Sequence, residues 1–334
     1  MLAHLLAKSF VVHDCRVGKT ALDFTSEIDM KPQLELLAPA KLNLFLELKS
    51  RRPDGFHELE TVMASVNLYD RLAFSVREDR SIRLSSEERL PGELPPAKDN
   101  LVTKALVSLQ QRFAISSGMD VRLTKRIPSQ AGLGGASSDA ATALVAGIKL
   151  WGINASFNEL SGIAAELGSD VPFFLHGGIA LCTGRGEIVQ PIESLLPYPV
   201  LIAKPPTGLS TPEVFRHCEV PQKKMTSDFL LDAIARRDTR LLKRSMLNRL
   251  QPAAKKITDW VERIAQAFDQ LNCVSHQLSG SGSCYFGLFN TWKLLRNASA
   301  RLLQRLPDLT LYSCKAVGPL LHNSKFLEST LARD

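Results

Sequence analysis

The stretch Ile127-Pro-Ser-Gln-Ala-Gly-Leu-Gly-Gly-Ala-Ser-Ser-Asp-Ala-Ala141 constrains what this chain can fold into more than any other. It joins an alternating, strand-like segment, Asp120 to Arg126, to a helical run from Ala140 to Trp151. Gly132, Gly134, Gly135, Ser137 and Ser138 therefore sit where a strand hands over to a helix N-terminus. Such a junction offers unpaired backbone N–H groups and the positive end of a helix dipole, which together favour phosphate. Glycine lets the backbone approach an anion closely and take positive φ. Pro128, Ser129, Gln130, Ala131, Gly132, Leu133, Gly134, Gly135, Ala136, Ser137 and Ser138 form the candidate phosphate loop. Ser137 and Ser138 can cap the helix, contact phosphate or reach a metal ion. The alternative is a small-residue loop with a serine cap.

Two familiar nucleotide motifs are approached but not reached. Gly18-Lys19-Thr20 ends like a Walker A loop, but the leading glycine would have to stand where His13 is. Gly132, Gly134 and Ser137 miss the third glycine of the dinucleotide fingerprint, and the preceding segment is rich in Lys and Arg rather than a buried apolar strand.

At 334 residues the chain is long enough for one large or two ordinary domains, and 45% hydrophobic content with 22% charge is that of a soluble globular protein. No window approaches the roughly 20 apolar residues of a membrane span. A net charge of +7 can help attract an anionic ligand without identifying one. Cys15, Cys182, Cys218, Cys273, Cys284 and Cys314 are scattered, with no metal-ligand spacing, which favours a reduced, cytoplasmic protein without structural zinc. Residues 1–33 read as a non-core extension. They lack a convincing signal peptide, and periodic sequence begins only at Leu34, so translation is expected to start at Met30.

Leu34 to Lys49 is strand-like with a local break at Pro39, and Leu59 to Val76 reads as two strands around Asn67-Leu-Tyr-Asp70. A helix is expected from Asp99-Asn100 to about Arg112, and another behind Ser156 with Glu159 completing a capping box. Proline-rich sequence from Pro191 to Pro199 marks a domain junction. Beyond it the pattern gives a strand at Val200–Ala203, several helices, two strands flanking Gly280-Ser-Gly282, a helix at Trp292–Leu306 and a last strand near Leu309–Val317. Strands and helices mix without strict alternation, which makes the fold class α+β in two domains.

Three further signals are each ambiguous alone. Lys41 lies in the strand-like run Ala38 to Leu46 among apolar residues, and a lysine there is either an edge-strand charge or a functional cation. Asp170 either caps the helix that follows it or serves chemistry. Gly280-Ser-Gly-Ser283 is either a tight hairpin or a second ligand loop. Together with the phosphate loop they assemble the parts of a kinase: a cation for developing charge, a carboxylate to take a proton and a second loop to close the site.

Pro39-Ala-Lys-Leu-Asn-Leu, Gly132-Leu-Gly-Gly-Ala-Ser-Ser and Leu278-Ser-Gly-Ser-Gly-Ser resemble the three motifs of the GHMP kinase superfamily, in its order and at its spacing. Arg52-Pro-Asp-Gly-Phe-His-Glu-Leu59, Gly168-Ser-Asp-Val-Pro172 and Ser210-Thr-Pro-Glu-Val-Phe215 resemble the branch that phosphorylates a cytidine-diphosphate-linked methylerythritol on the route to isoprenoids. The resemblance covers about residues 34–318. It implies an N-terminal domain like ribosomal protein S5 domain 2 over residues 34–195, a GHMP-kinase C-terminal α+β domain over 196–320, and a tail at 321–334. It further implies ATP as co-substrate with Mg²⁺, a small-molecule acceptor, no nucleic-acid or membrane partner, and a monomer or weak homodimer. Residue by residue, Lys41 and Asp170 match the catalytic pair, and Asn43 a residue beside the reacting hydroxyl. Asn100 and Lys125 match positions near the adenine, and the loop from Pro128 to Ser138 holds the phosphates. Phe56 and Phe215 match aromatics that sandwich the cytosine, His57 a group on its edge, and Thr211 a substrate-side residue.

The chain departs from that pattern in places. Ser129, Gln130 and Ala131 stand where more glycine is usual, and the methyl of Ala136 restricts positive φ where glycine is common. Leu247-Asn-Arg-Leu-Gln-Pro252 lacks the acidic residues often found there, so that segment is assigned no catalytic role. Other readings are another kinase of the superfamily such as homoserine kinase, a mevalonate-type decarboxylase, a non-catalytic relative, or an RNA-binding module using the basic run Ala235 to Arg244. The Phe-His and Thr-Pro-x-x-Phe pieces count against the first two because they make sense as a base pocket. The presence of both Lys41 and Asp170 counts against the third, and a basic run is more often a solvated helix face.

Overall fold

The computed structural model describes residues 12–14, 32–88, 96–194 and 196–318. The expected start at Met30 and the tail from residue 321 fall outside them. The strands are β1 (Val12–Asp14), β2 (Leu34–Arg51), β3 (His57–Arg77), β4 (Ile82–Glu88), β5 (Gly118–Lys125), β6 (Ile179–Thr183), β7 (Ile188–Ile192), β8 (Pro199–Lys204), β9 (Leu247–Asn248), β10 (Ser275–Leu278), β11 (Tyr285–Leu288) and β12 (Thr310–Lys315). The helices are α1 (Leu101–Arg112), α2 (Gly135–Leu150), α3 (Phe157–Leu167), α4 (Val171–His176), α5 (Thr211–Arg216), α6 (Asp228–Arg236), α7 (Thr239–Ser245), α8 (Gln251–Ile257), α9 (Asp259–Asp269) and α10 (Trp292–Arg305). No helix among the described residues is long and apolar enough to cross a membrane.

The strands form two sheets, so the architecture is α+β. In the first, the order is β4-β5-β3-β2-β9. β3 pairs with β2 along its length and shares its other edge: β5 takes Arg71–Arg77 and β6 takes Thr61–Ala64. The second sheet has the order β1-β12-β8-β11-β10. β1, from the segment expected to be non-core, pairs in parallel with β12 at its edge. Helices α1 to α4 supply one core against the first sheet, through residues such as Leu106, Leu144, Leu160 and Phe173. A second core joins the two sheets, with Leu42, Leu44 and Val62 meeting Val200, Ile202 and Tyr312. A third lies under α8, α9 and α10.

The two strands expected between Leu59 and Val76 are one 21-residue strand. The turn signal at Asn67-Leu-Tyr-Asp70 is absorbed by a bulge, because Ala40 faces Val66 while Pro39 faces Tyr69. That irregularity sets up the site. Leu34, Leu36 and Ala38 pack with the helices, whereas Ala40, Leu42 and Leu44 pack toward the second sheet. The even-numbered residues thus change faces at Pro39, and the odd-numbered Lys41 and Asn43 turn to the helical side. Re-aiming side chains is what a bulge does.

The helix signals hold locally. Asn100 caps α1, its Oδ1 accepting from the Val102 N–H at 2.9 Å. Ser156 and Glu159 complete the capping box of α3.

Candidate active site

Lys41 is not a solvated edge-strand charge. β9 meets β2 only at Phe45 and Leu46, and at Lys41 the loop after β5 takes that side instead, the Lys41 N–H donating to the Leu133 carbonyl at 2.9 Å, while the Lys41 side chain is only 5% exposed. Its Nζ donates to Asn43 Oδ1 at 2.6 Å and lies 3.5 Å from Asp170 Oδ2. Asn43 is held in turn, its Nδ2 donating to Thr61 Oγ1 at 2.9 Å while Thr61 donates to the Phe45 carbonyl at 2.6 Å. Asp170 occupies the N-cap position of α4 but makes no side-chain cap bond. Its carboxylate, 33% exposed, faces Lys41 instead. The neighbouring Cys182 thiol is pushed well up by burial, with the Asp170 charge adding to the shift, so it stays protonated beside the pair.

The loop after β5 wraps over this pair. Gly132 and Gly134 are left-handed at φ +71° and +72°. A Cβ on Gly132 would lie 2.0 Å from the Ser279 carbonyl oxygen, and one on Gly134 would lie 2.8 Å from the Phe174 ring and 3.0 Å from Lys41 Cγ. The first helical bond of α2 runs from the Ser138 N–H to the Gly134 carbonyl, which leaves the N–H groups of Gly135, Ala136 and Ser137 outside the ladder. Neither serine caps the helix, and Ser138 Oγ is buried without a hydrogen-bond partner. Ala136 is helical, so the methyl expected to restrict the loop meets no positive φ. Gln130 does sit at φ +49°, where a non-glycine residue is strained by roughly 1–2 kcal/mol. Its carbonyl accepts from the N–H groups of Leu209 at 3.3 Å and Ser283 at 3.2 Å, which hold it there.

The Gly280 loop is more than a hairpin turn between β10 and β11. Ser279 Oγ donates to the Gly132 carbonyl at 3.0 Å, and the Cys284 N–H to the Ala131 carbonyl at 3.1 Å, so the two glycine loops are laced together. The segment dismissed for lack of acids supports this loop. Asn248 Nδ2 donates to the carbonyls of Leu278 and Gly280, both at 2.8 Å. Arg249 pairs at 2.6 Å with the fully buried Glu47. The sequence signal for this positioning role was the lone Asn248.

These elements enclose a cleft of about 590 Å³ lined by Lys41, Asn43, Asn100, Lys125, the loop from Pro128 to Ser137, Asp170, Thr211, Phe215 and Ser281. The Lys125 ammonium is bound to Asp70 and lies 2.7 Å from Asp139 Oδ2. Thr211 Oγ1 meets Ser281 Oγ at 2.8 Å. The Phe215 ring lies 5.3 Å from the His57 ring, tilted by 34°. Phe56 is 54% exposed, and the guanidinium of Arg185 rests 5.1 Å above its ring. Arg185, which also lines the cleft, had no individual signal beyond standing in the turn Gly184-Arg-Gly186. Among the described residues no group of three or more His, Cys, Asp or Glu side chains is placed to hold a metal.

Two glycine loops facing a lysine–aspartate pair across an α+β cleft define a small-molecule phosphotransferase of the GHMP type. The family model of the GHMP kinase N-terminal domain matches residues 100–178, and that of the C-terminal domain matches residues 230–308. The 4-diphosphocytidyl-2-C-methyl-D-erythritol kinase of Geobacillus kaustophilus is 39% identical over 258 residues, 77% of this chain and 88% of that one. The kinase of the same name from Bacillus pumilus is 39% identical over 75% of this chain and 86% of its own. A crystal structure of a 4-(cytidine 5'-diphospho)-2C-methyl-D-erythritol kinase superposes with a TM-score of 0.71 at 31% identity, covering 85% of this chain and all of that one. Homoserine kinase from Cytophaga hutchinsonii, at 20% identity and a TM-score of 0.68, shares the fold. The chain belongs to the GHMP kinase superfamily and, within it, to the 4-diphosphocytidyl-2-C-methyl-D-erythritol kinase family.

Proposed function

We propose that this chain transfers the γ-phosphoryl group of ATP to the 2-hydroxyl of 4-diphosphocytidyl-2-C-methyl-D-erythritol, giving the 2-phosphate and ADP, in the methylerythritol phosphate route to isoprenoids. The observation that carries the reading is that Asp170 forgoes its helix cap to face a buried lysine across the cleft. The 39% identical relatives support the choice of acceptor.

Asp170 accepts the proton of the 2-hydroxyl, a tertiary alcohol that is a poor nucleophile unaided. Lys41 holds that carboxylate in place and offsets negative charge on the transferring group. Asn43, pinned between Lys41 and Thr61, sits beside the reacting oxygen. The N–H groups of Gly135 to Ser137, at the positive end of α2, hold the ATP phosphates, with Asn100 on the adenine side. The Ser137 hydroxyl, which lines the cleft, suits a hard, oxygen-seeking cation, and Mg²⁺ held there with the phosphates would neutralise their charge. General-base help contributes typically about 10²–10⁴-fold, so alignment and electrostatics supply most of the acceleration. Phosphorus NMR of the product tests the assignment: a new phosphomonoester on the tertiary carbon supports it, and a phosphate on any other oxygen contradicts it.

The cytosine lies against Phe215, with Phe56 at the rim and His57 on its edge. Base stacking on an aromatic is worth about 1–3 kcal/mol, so Phe215→Ala is expected to raise the acceptor KM roughly 10-fold or more and leave the ATP KM unchanged. Initial-rate kinetics with each substrate varied in turn checks this. Burial, helped by Arg51, lowers the His57 pKa from its ordinary 6.5, so the ring is neutral at pH 7 and keeps an acceptor nitrogen. Protonation on acidification removes that acceptor. The acceptor KM is therefore expected to be flat above about pH 6.5 and to rise below it, with no matching rise in the ATP KM. Parallel changes in both would contradict the role given to His57.

A further inference from the structure

A buried charge cluster at the root of the phosphate loop has its own geometry. Asp70, fully buried on β3, accepts from the backbone N–H groups of Arg126 at 2.5 Å and Ile127 at 2.9 Å, the two residues that lead into the loop. It also binds the Lys125 ammonium. That ammonium lies 2.7 Å from Oδ2 of Asp139, in the first turns of α2 just past the loop. A Cβ on Gly135, the first residue of α2, would lie 3.2 Å from Lys125 Nζ, so the cation sits directly beneath the helix N-terminus. One acid–base–acid chain thus reaches from β3 through the entry of the loop to its exit. Lys125 is at most 7% exposed, and both of its short contacts are to carboxylates.

We infer that Asp70, Lys125 and Asp139 form a staple that fixes both ends of the phosphate loop, and that Lys125 is a positioning residue for the triphosphate rather than a contact to the adenine. The inference rests on reading Pro128 to Ser138 as the phosphate site. Two mobile ends would let the N–H groups of Gly135 to Ser137 diverge, whereas a buried, multiply bonded network holds them preorganised. Burial pushes the Asp139 carboxyl up against the pull of Lys125, with the charge of Asp70 adding to the rise.

Binding to the full chain, measured by calorimetry, tests this with ATP, GTP, inorganic tripolyphosphate and CDP as probes. Lys125→Met is expected to weaken ATP, GTP and tripolyphosphate by a common factor of about 10 or more, with the ATP-to-GTP ratio and the CDP affinity held within about two-fold. Asp70→Asn, which keeps the shape of the side chain and lies outside the cleft wall, is expected to give the same pattern, and Lys125→Arg to recover part of the loss. Hydrogen exchange at the amides of residues 126–138 is expected to speed up in both weakened variants. If Lys125→Met does not fold, Asp70→Asn carries the test. A changed ATP-to-GTP ratio with unchanged tripolyphosphate binding would overturn the inference and place Lys125 on the base. Unaltered triphosphate binding in Asp70→Asn would overturn the staple while leaving the phosphate loop standing. Failure of the wild-type chain to bind any of the three triphosphates would overturn the loop reading itself and the staple with it.

Discussion

Asp170→Asn is expected to lower turnover by about 10²–10⁴-fold, the usual worth of a general base, while leaving ATP affinity and the unfolding midpoint at wild-type values. In free energy that loss is roughly 3–5 kcal/mol of transition-state stabilisation. Asparagine has the same shape and can still hydrogen-bond, but it cannot take a proton from the acceptor. The fold is spared because the Asp170 side chain makes no cap bond that asparagine would lose. Its partner Lys41 keeps Asn43 Oδ1 at 2.6 Å, so the ammonium is not stranded. In the proposed site ATP is held elsewhere, on the loop and the start of α2, so its binding is expected to stay. Single-turnover kinetics with a separate ATP titration makes the measurement. Turnover within a few-fold of wild type would remove Asp170 from the role of base.

Gly132→Ala is expected to damage both stability and nucleotide binding. The added methyl would lie 2.0 Å from the Ser279 carbonyl oxygen, which is backbone and cannot swing away, and φ is +71°. Left-handed backbone is disfavoured by roughly 1–2 kcal/mol for a residue with a Cβ, and overpacking adds about 1–3 kcal/mol. A total destabilisation of about 2–5 kcal/mol is therefore expected, seen as a lower urea midpoint at unchanged slope. The clash also pries apart the two glycine loops that Ser279 Oγ and the Cys284 N–H lace together. ATP affinity should fall with it. Gly152→Ala is the control: Gly152 has a similar φ of +62° with nothing within 4 Å of the added Cβ, so it reports backbone strain without the clash.

What could be read from the sequence was local. The α3 capping box, the strands around Gly280 and the helix after Asn100 are each written in neighbouring residues, and each lies where the pattern put it, whereas the helix read from Ala140 begins at Gly135, inside the loop read as Pro128 to Ser138. The meaning of Lys41 was not local. Whether it faces solvent or Asp170 depends on a bulge where Pro39 on one strand meets the extra residues Asn67 and Leu68 on another. The same bulge turned an apparent turn signal into the middle of a single strand. Asp170 was ambiguous for a related reason, since an aspartate before a short helix reads as a cap until the position of the lysine is known. The partners of Lys125 come from Asp70 and Asp139, on separate elements, and no periodicity joins them. Arg185 and Asn248 were passed over because their roles come from Phe56 and from the carbonyls of Leu278 and Gly280, far away in the chain. Ala136 was misjudged because the loop ends at Gly134, four residues before the Ser138 read as its end, and Ala136 is already helical.

The measurement that bears most directly on the central claim is ADP release by the purified full chain. Each reaction would contain Mg-ATP and a single acceptor: 4-diphosphocytidyl-2-C-methyl-D-erythritol, homoserine or mevalonate. The geometry of the cleft and the kinship of the chain predict ADP formation with the cytidyl acceptor alone. Turnover with homoserine or mevalonate in its place would keep the phosphotransferase and contradict the base pocket built on Phe56, His57 and Phe215. No turnover with any of the three, by folded protein that binds ATP, would contradict the assignment of Lys41 and Asp170 to catalysis.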